Sequence, residues 1–149
     1  MSMFSSFDIN ASGLTAQRYR MDVIAENVAN ANTTRTEDGT PYRRKVVTFE
    51  QKGSNTEFSK VLNTAMAHGY SGQGVKAIRV SEDHETEMNM VYDPSHPDAD
   101  ENGYVTYPNV NIVTEMTNLI DASRAYEANA TAFGASKNIA QQGLQLFNQ

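Results

Sequence analysis

The chain has 149 residues, 39% of them hydrophobic, which allows one compact domain with a modest core and leaves no length for a second, enzyme-sized one. It has no cysteine, which excludes disulfide frameworks, thiol nucleophiles and cysteine-based zinc sites. The formal net charge of −6 is uneven: residues 1–79 hold ten Lys/Arg against seven Asp/Glu, and residues 80–149 hold two against eleven, which excludes the basic face of a general nucleic-acid binder and suits contact between unlike ends of neighbouring molecules.

From Met1 to Asp8 there is neither a basic segment nor an apolar run of signal-peptide length, so any export is expected to proceed without a cleaved signal. Phe7, Leu14, Met21 and Val28 then recur seven apart, with Asn10, Gln17, Ile24 and Ala31 three residues after each. That spacing predicts a one-sided helix. It ends near Ala31 in the cluster Asn27-Val28-Ala29-Asn30-Ala31-Asn32-Thr33-Thr34, because Asn accepts left-handed backbone and competes for main-chain hydrogen bonds. Asp38-Gly39 and Pro41 mark a turn, and Tyr42 to Glu50 reads as a strand with Val47 and Phe49 on one face.

Phe58, Val61, Leu62, Ala65 and Met66 follow helical spacing after the polar start Asn55-Thr56, predicting a short amphipathic helix that Gly69, Gly72 and Gly74 break. Strands are predicted from Val75 to Ser81 and from Glu87 to Tyr92, where Met88, Met90 and Tyr92 alternate. Asp93-Pro94 and His96-Pro97 stop the second of these. Residues 98–103 form a polar loop, Tyr104 to Tyr107 a short strand, and Pro108-Asn109 opens the last helix, with Asn109 or Asn111 as its cap.

That helix carries Ile112, Leu119, Tyr126, Phe133, Ala140 and Phe147 at intervals of seven, with Met116, Ser123, Ala130, Lys137 and Leu144 four residues after each of the first five. Its expected length is about 54 Å. Both helical seams are weak, since Asn10, Gln17, Ser123, Lys137 and three alanines stand where a strong coiled coil uses Leu or Ile. Gly134 and Gly143 each cost about 1 kcal/mol against Ala. The predicted fold is α+β: long N- and C-terminal helices pair as a coiled-coil-like α-domain of residues 1–34 and 109–149, around a small β-rich insert, residues 35–108, with one short helix. The pattern leaves open whether the helices pack as a self-sufficient antiparallel hairpin or complete their burial on neighbouring molecules.

Catalytic chemistry has no visible candidate. His68, His84 and His96 are scattered, with no helix-spaced histidine pair, nucleophile elbow or phosphate-binding glycine loop, so no cofactor and no small-molecule substrate are expected. Glu82-Asp83-His84-Glu85 and Asp98-Ala99-Asp100-Glu101 offer hard oxygen ligands. They support an alternative reading as a small metal-binding or metal-dependent module, although a calcium loop starting at Asp98 would need Glu where Asn109 stands. Arg43-Arg44-Lys45 is too short a basic run to argue RNA or lipid binding, and suits a partner subunit or a charged edge strand.

Ala11-Ser12-Gly13-Leu14-Thr15-Ala16-Gln17, followed by Asp22-Val23-Ile24-Ala25-Glu26-Asn27-Val28-Ala29-Asn30-Ala31-Asn32-Thr33, resembles the N-terminal signature of bacterial flagellar rod and hook proteins. Asn109-Val110-Asn111-Ile112-Val113-Thr114-Glu115-Met116 and Ser123-Arg124-Ala125-Tyr126-Glu127-Ala128-Asn129 resemble that family's C-terminal helix. Residues 33–44 and 91–105 are similar to the family's C-type proximal rod subunit, as against another rod or hook-junction subunit. Glu26 departs from the family pattern, which often has Asn there. The resemblance implies a non-enzymatic structural subunit of the basal-body rod. Such a subunit would be exported by the flagellar type III apparatus and assembled in the periplasm with other rod subunits and copies of itself. Its assembly interface would comprise Phe7, Leu14, Met21, Ile24, Asn27, Val28, Asn30 and Asn32 at one end, and Ile112, Met116, Leu119, Tyr126, Phe133, Leu144 and Phe147 at the other.

Overall fold

A computed structural model describes residues 3–53 and 73–147, with side chains described for residues 5–53 and 73–145. The short helix expected around residues 55–66 lies outside the described residues. Helix α1 (Met3–Ala29) follows the first seven-residue periodicity, and its last turn winds on through hydrogen bonds from Asn30 N–H to Glu26 O (3.0 Å) and from Ala31 N–H to Val28 O (3.3 Å). Four strands follow, β1 (Lys45–Gln51), β2 (Val75–Glu82), β3 (Asn89–Tyr92) and β4 (Tyr104–Tyr107), and then helix α2 (Ile112–Phe147).

The strands form two separate two-stranded sheets, β1 with β2 and β3 with β4. In the first, Asp83 N–H donates to Arg44 O and Lys52 N–H to Gly74 O, both at 2.8 Å. One end of β1 thus meets the far end of β2, so the pair is antiparallel. Along β1, Lys45, Val47 and Phe49 are half-buried and Val46, Thr48 and Glu50 exposed, the alternation a one-sided strand requires. Strands β3 and β4 pair antiparallel, Asn89 opposite Tyr107 and Tyr92 opposite Tyr104. Asn111 caps α2: its Oδ1 accepts from Val113 N–H (3.0 Å) and Thr114 N–H (3.2 Å), satisfying two of the donors a helix start leaves free.

The chain divides into two compact units, each drawing on both helices and on the segment between them. The first comprises Met1–Arg18, Phe49–Ile78 and Ser123–Gln149. Within it Phe7 and Phe133 meet edge to face at 5.2 Å, and Gly13 lets Asn129 approach so closely that a Cβ there would stand 2.8 Å from the Asn129 Oδ1. Gly74 has φ +85° and lies against Ser12, whose Oγ accepts from Val75 N–H (3.0 Å) and donates to Ile9 O (2.7 Å). The second unit comprises Tyr19–Thr48 and Arg79–Ala122. Its buried apolar residues are Val23, Ile24, Ala31, Tyr42, Val105, Val110 and Ala122, and Ala31, Tyr42 and Val110 form one cluster. Among the described residues, no helix is long and apolar enough to cross a membrane.

Candidate assembly surface and its polar node

At the end of α1 a side-chain amide organises the second unit. Asn27 is 1% exposed, and its Oδ1 accepts from Lys45 N–H (2.8 Å) and the Tyr42 hydroxyl (2.9 Å). Its Nδ2 donates to Lys45 O (2.9 Å) and to Glu115 Oε2 (3.0 Å). All four hydrogen-bonding positions of the amide are filled. Because it bonds both the N–H and the C=O of Lys45, Asn27 serves the first residue of β1 as a neighbouring strand would.

Glu115, in the first turn of α2, is as deeply buried as Asn27 and its Oε1 accepts from Arg44 Nε at 2.8 Å. The Arg44 guanidinium also stands 3.5 Å from Asp83 Oδ2. Asn109 completes the arrangement: its Oδ1 accepts from Arg44 N–H (2.8 Å), and its Nδ2 donates to Asp83 O (2.9 Å) and Thr86 O (3.2 Å). Removing Arg44 should cost about 3–5 kcal/mol, because the Glu115 carboxylate, 1% exposed, would stay buried without its cation.

The same burial acts on Tyr42, whose hydroxyl pKa is pushed up to about 12, first by desolvation and then by the negative charges of Glu26, Glu115 and Glu82. Lys45 meets Glu26 Oε1 in an ion pair and lies 5.7 Å from the Tyr42 ring. Glu26, where the family pattern often has Asn, is thus matched by a cation on β1. Asp83 is held below the usual carboxylate range, chiefly by the backbone N–H and hydroxyl of Thr86.

Glu115 and Ala122 mark the inward face of α2. On the opposite side Val113, Met116 and Ile120 are 73%, 55% and 52% exposed, spaced three and four apart as one stripe. Of the residues expected at an interface, Ile24 and Asn27 are buried, Met21, Val28, Asn30 and Leu119 half-buried, and Asn32, Ile112 and Met116 exposed in the second unit. In the first unit Phe7, Leu14 and Phe133 are half-buried, and Tyr126 and Leu144 exposed. The Phe147 side chain lies outside those described. Sequence reasoning did not single out Tyr42, Arg44, Asn109 and Glu115 as one group, and the signal available for it was the presence of Asn109 and Glu115 inside one family-like segment.

The acidic clusters are engaged with their own backbone. The Asp83 carboxylate accepts from Glu85 and Thr86 N–H, that of Asp93 from Ser95 N–H, and that of Asp100 from Asn102 and Tyr104 N–H. Asp98 takes the Thr34 hydroxyl at 2.8 Å and the Arg35 guanidinium at 3.8 Å. Among the described residues, no group of three or more His, Asp and Glu is placed to hold a metal ion.

Two family models match the chain: that of the flagella basal body rod protein over residues 7–35, and that of the flagellar basal body rod FlgEFG protein C-terminal region over residues 101–146. The first match contains Asn27, the second Asn109 and Glu115. The chain is 44% identical to the flagellar basal-body rod protein FlgC of Bacillus subtilis, over 98% of this chain and 99% of that protein. It is 42% identical to the FlgC of Borreliella burgdorferi and 39% identical to that of Salmonella typhimurium, in both cases over 98% of each chain.

Proposed function

The chain belongs to the FlgC family of flagellar basal-body rod proteins and is a structural subunit of the proximal rod, and we propose that it joins other axial subunits through the exposed parts of its two terminal helices. The outward stripe of Val113, Met116 and Ile120 supports this reading most directly. These apolar side chains lie opposite a face already sealed by Glu115 and Ala122 and stay open among the described residues, so a neighbouring molecule would gain by removing them from water. Weak seams support it too, since a helix with few strong core positions gains little from its own chain.

On this reading the subunit reaches the rod through the flagellar type III export apparatus without a cleaved signal, and its site is a surface for protein alone, with no nucleic acid or small-molecule substrate. Expression in a flagellated bacterium whose own FlgC gene has been deleted tests it. The unaltered chain should restore flagella, and Met116→Asp or Tyr126→Asp, both at exposed positions, should abolish them while circular dichroism stays unchanged. Swimming cells carrying either variant would remove these helix faces from the interface.

A further inference from the structure

The charge asymmetry seen between the sequence halves persists when it is counted by compact unit. The first unit holds six Lys/Arg against four Asp/Glu and the second six against fourteen, a net of +2 and −8. Within the negative unit, residues 83–107 carry seven acids and no Lys or Arg. Strands β3 and β4 lie in that segment. Register places Met90 beside Thr106 and Tyr92 beside Tyr104, so these four share one face, while Val105, fully buried, marks the other.

The outer face is apolar and open: Met90 is 71%, Tyr92 64% and Tyr104 45% exposed, the two tyrosine rings meeting edge to face at 5.3 Å. Glu87 and Glu101, in the same segment, are exposed and lack any ion pair among the described residues. An aromatic centre bordered by charge has the anatomy of a protein interface. On the positive unit, Arg18, Lys52, Arg124 and Lys137 are exposed and likewise unpaired among the described residues.

We propose that the outer face of the β3–β4 hairpin binds the positive unit of a second copy of this chain. The proposal rests on the reading of the chain as an assembling rod subunit and adds a contact apart from the helix faces. Two unlike surfaces meet, so the contact is head to tail and leaves a free hairpin at one end and a free positive unit at the other. Opposite charge steers the encounter and salt weakens it; the tyrosines and Met90 supply the buried apolar area.

Sedimentation velocity on the full-length chain, across a concentration series in about 20 mM and about 300 mM NaCl, reads the contact directly. Association is expected at low salt and should weaken about tenfold or more at high salt. Met90→Asp with Tyr92→Asp removes the hairpin surface, and Arg124→Glu with Lys137→Glu reverses its counterpart. Each variant alone should stay monomeric, and their mixture should stop at a one-to-one dimer. Glu87→Lys with Glu101→Lys repeats the first arm without touching an apolar side chain, should the aspartates unfold the hairpin.

A wild-type chain that remains monomeric at low salt overturns the proposal, as does a cation-reversed variant that still self-associates. A chain that restores flagella yet never self-associates sinks this contact and leaves the rod assignment standing. One that self-associates as described but restores no flagella does the reverse.

Discussion

Replacing Asn27 with leucine, a side chain of similar size, removes four hydrogen bonds at once. It strands the Lys45 peptide group, the Tyr42 hydroxyl and one Glu115 oxygen in a region that water does not reach. The expected loss is about 3–5 kcal/mol, read as a lower urea midpoint. Tyr42 adds a pH signature. Its hydroxyl ionises near pH 10.0 in the unfolded chain and near 12 in the folded one, so above pH 10 the unfolded state gives up the proton first. Stability should therefore be level below pH 10 and fall as the pH rises toward 12, and Tyr42→Phe should remove that fall. Asp83 acts oppositely: its carboxyl is lowered from 3.8, so its contribution is present above that value and is lost as the pH drops through the folded one. At this scale Asn27 was legible as a motif residue, and the engagement of its amide inside its own chain was not. Glu115 in a first helical turn reads as an ordinary exposed acid favoured by the helix dipole. Its partners Asn27 and Arg44 stand 88 and 71 positions away, where no local pattern reports them.

Within the elements, glycines give predictions of opposite sign. A Cβ at Gly134 or Gly143 would meet nothing within 4 Å, so alanine at either should stabilise α2 by about 0.5–1 kcal/mol and raise the thermal midpoint. Gly74→Ala should cost about 1–3 kcal/mol, because φ is +85° and the new methyl would lie 2.2 Å from the Ser12 Oγ. Seven-residue spacing and alternating strands made the kind and order of these elements readable. Their edges were less so, because long-range bonds set them. Strand β1 begins at Lys45 and not at Tyr42 because Tyr42 N–H goes to Thr33 O and Arg44 N–H to Asn109 Oδ1. Strand β3 begins at Asn89 and not at Glu87, after a turn wound around the Asp83 carboxylate. Of the two candidate caps, Asn111 takes the helix and Asn109 is drawn to Arg44 and Asp83.

Across the molecule, α2 keeps small and polar side chains inward and several of its largest apolar ones outward. Glu115, Ala122, Asn129, Ser136 and Gly143, seven apart, are all buried or half-buried, while Met116, Ala130, Lys137 and Leu144 are exposed. Apolar periodicity finds residues that seek burial without saying in which molecule they find it, which is why the helix was legible and its inward face was not. Amide exchange should follow the inward face: residues 23–31 and 115–122 should exchange slowest, and α2 beyond Gly134 at least about tenfold faster. The bond from Asn27 to Glu115 also has a bearing on timing. A chain made N-terminus first presents Asn27, Tyr42 and Arg44 long before residue 115 exists, so the second unit cannot close until most of the polypeptide has emerged. A truncated product ending before α2 lacks the carboxylate that Arg44 and Asn27 share, so it should be unable to complete the node.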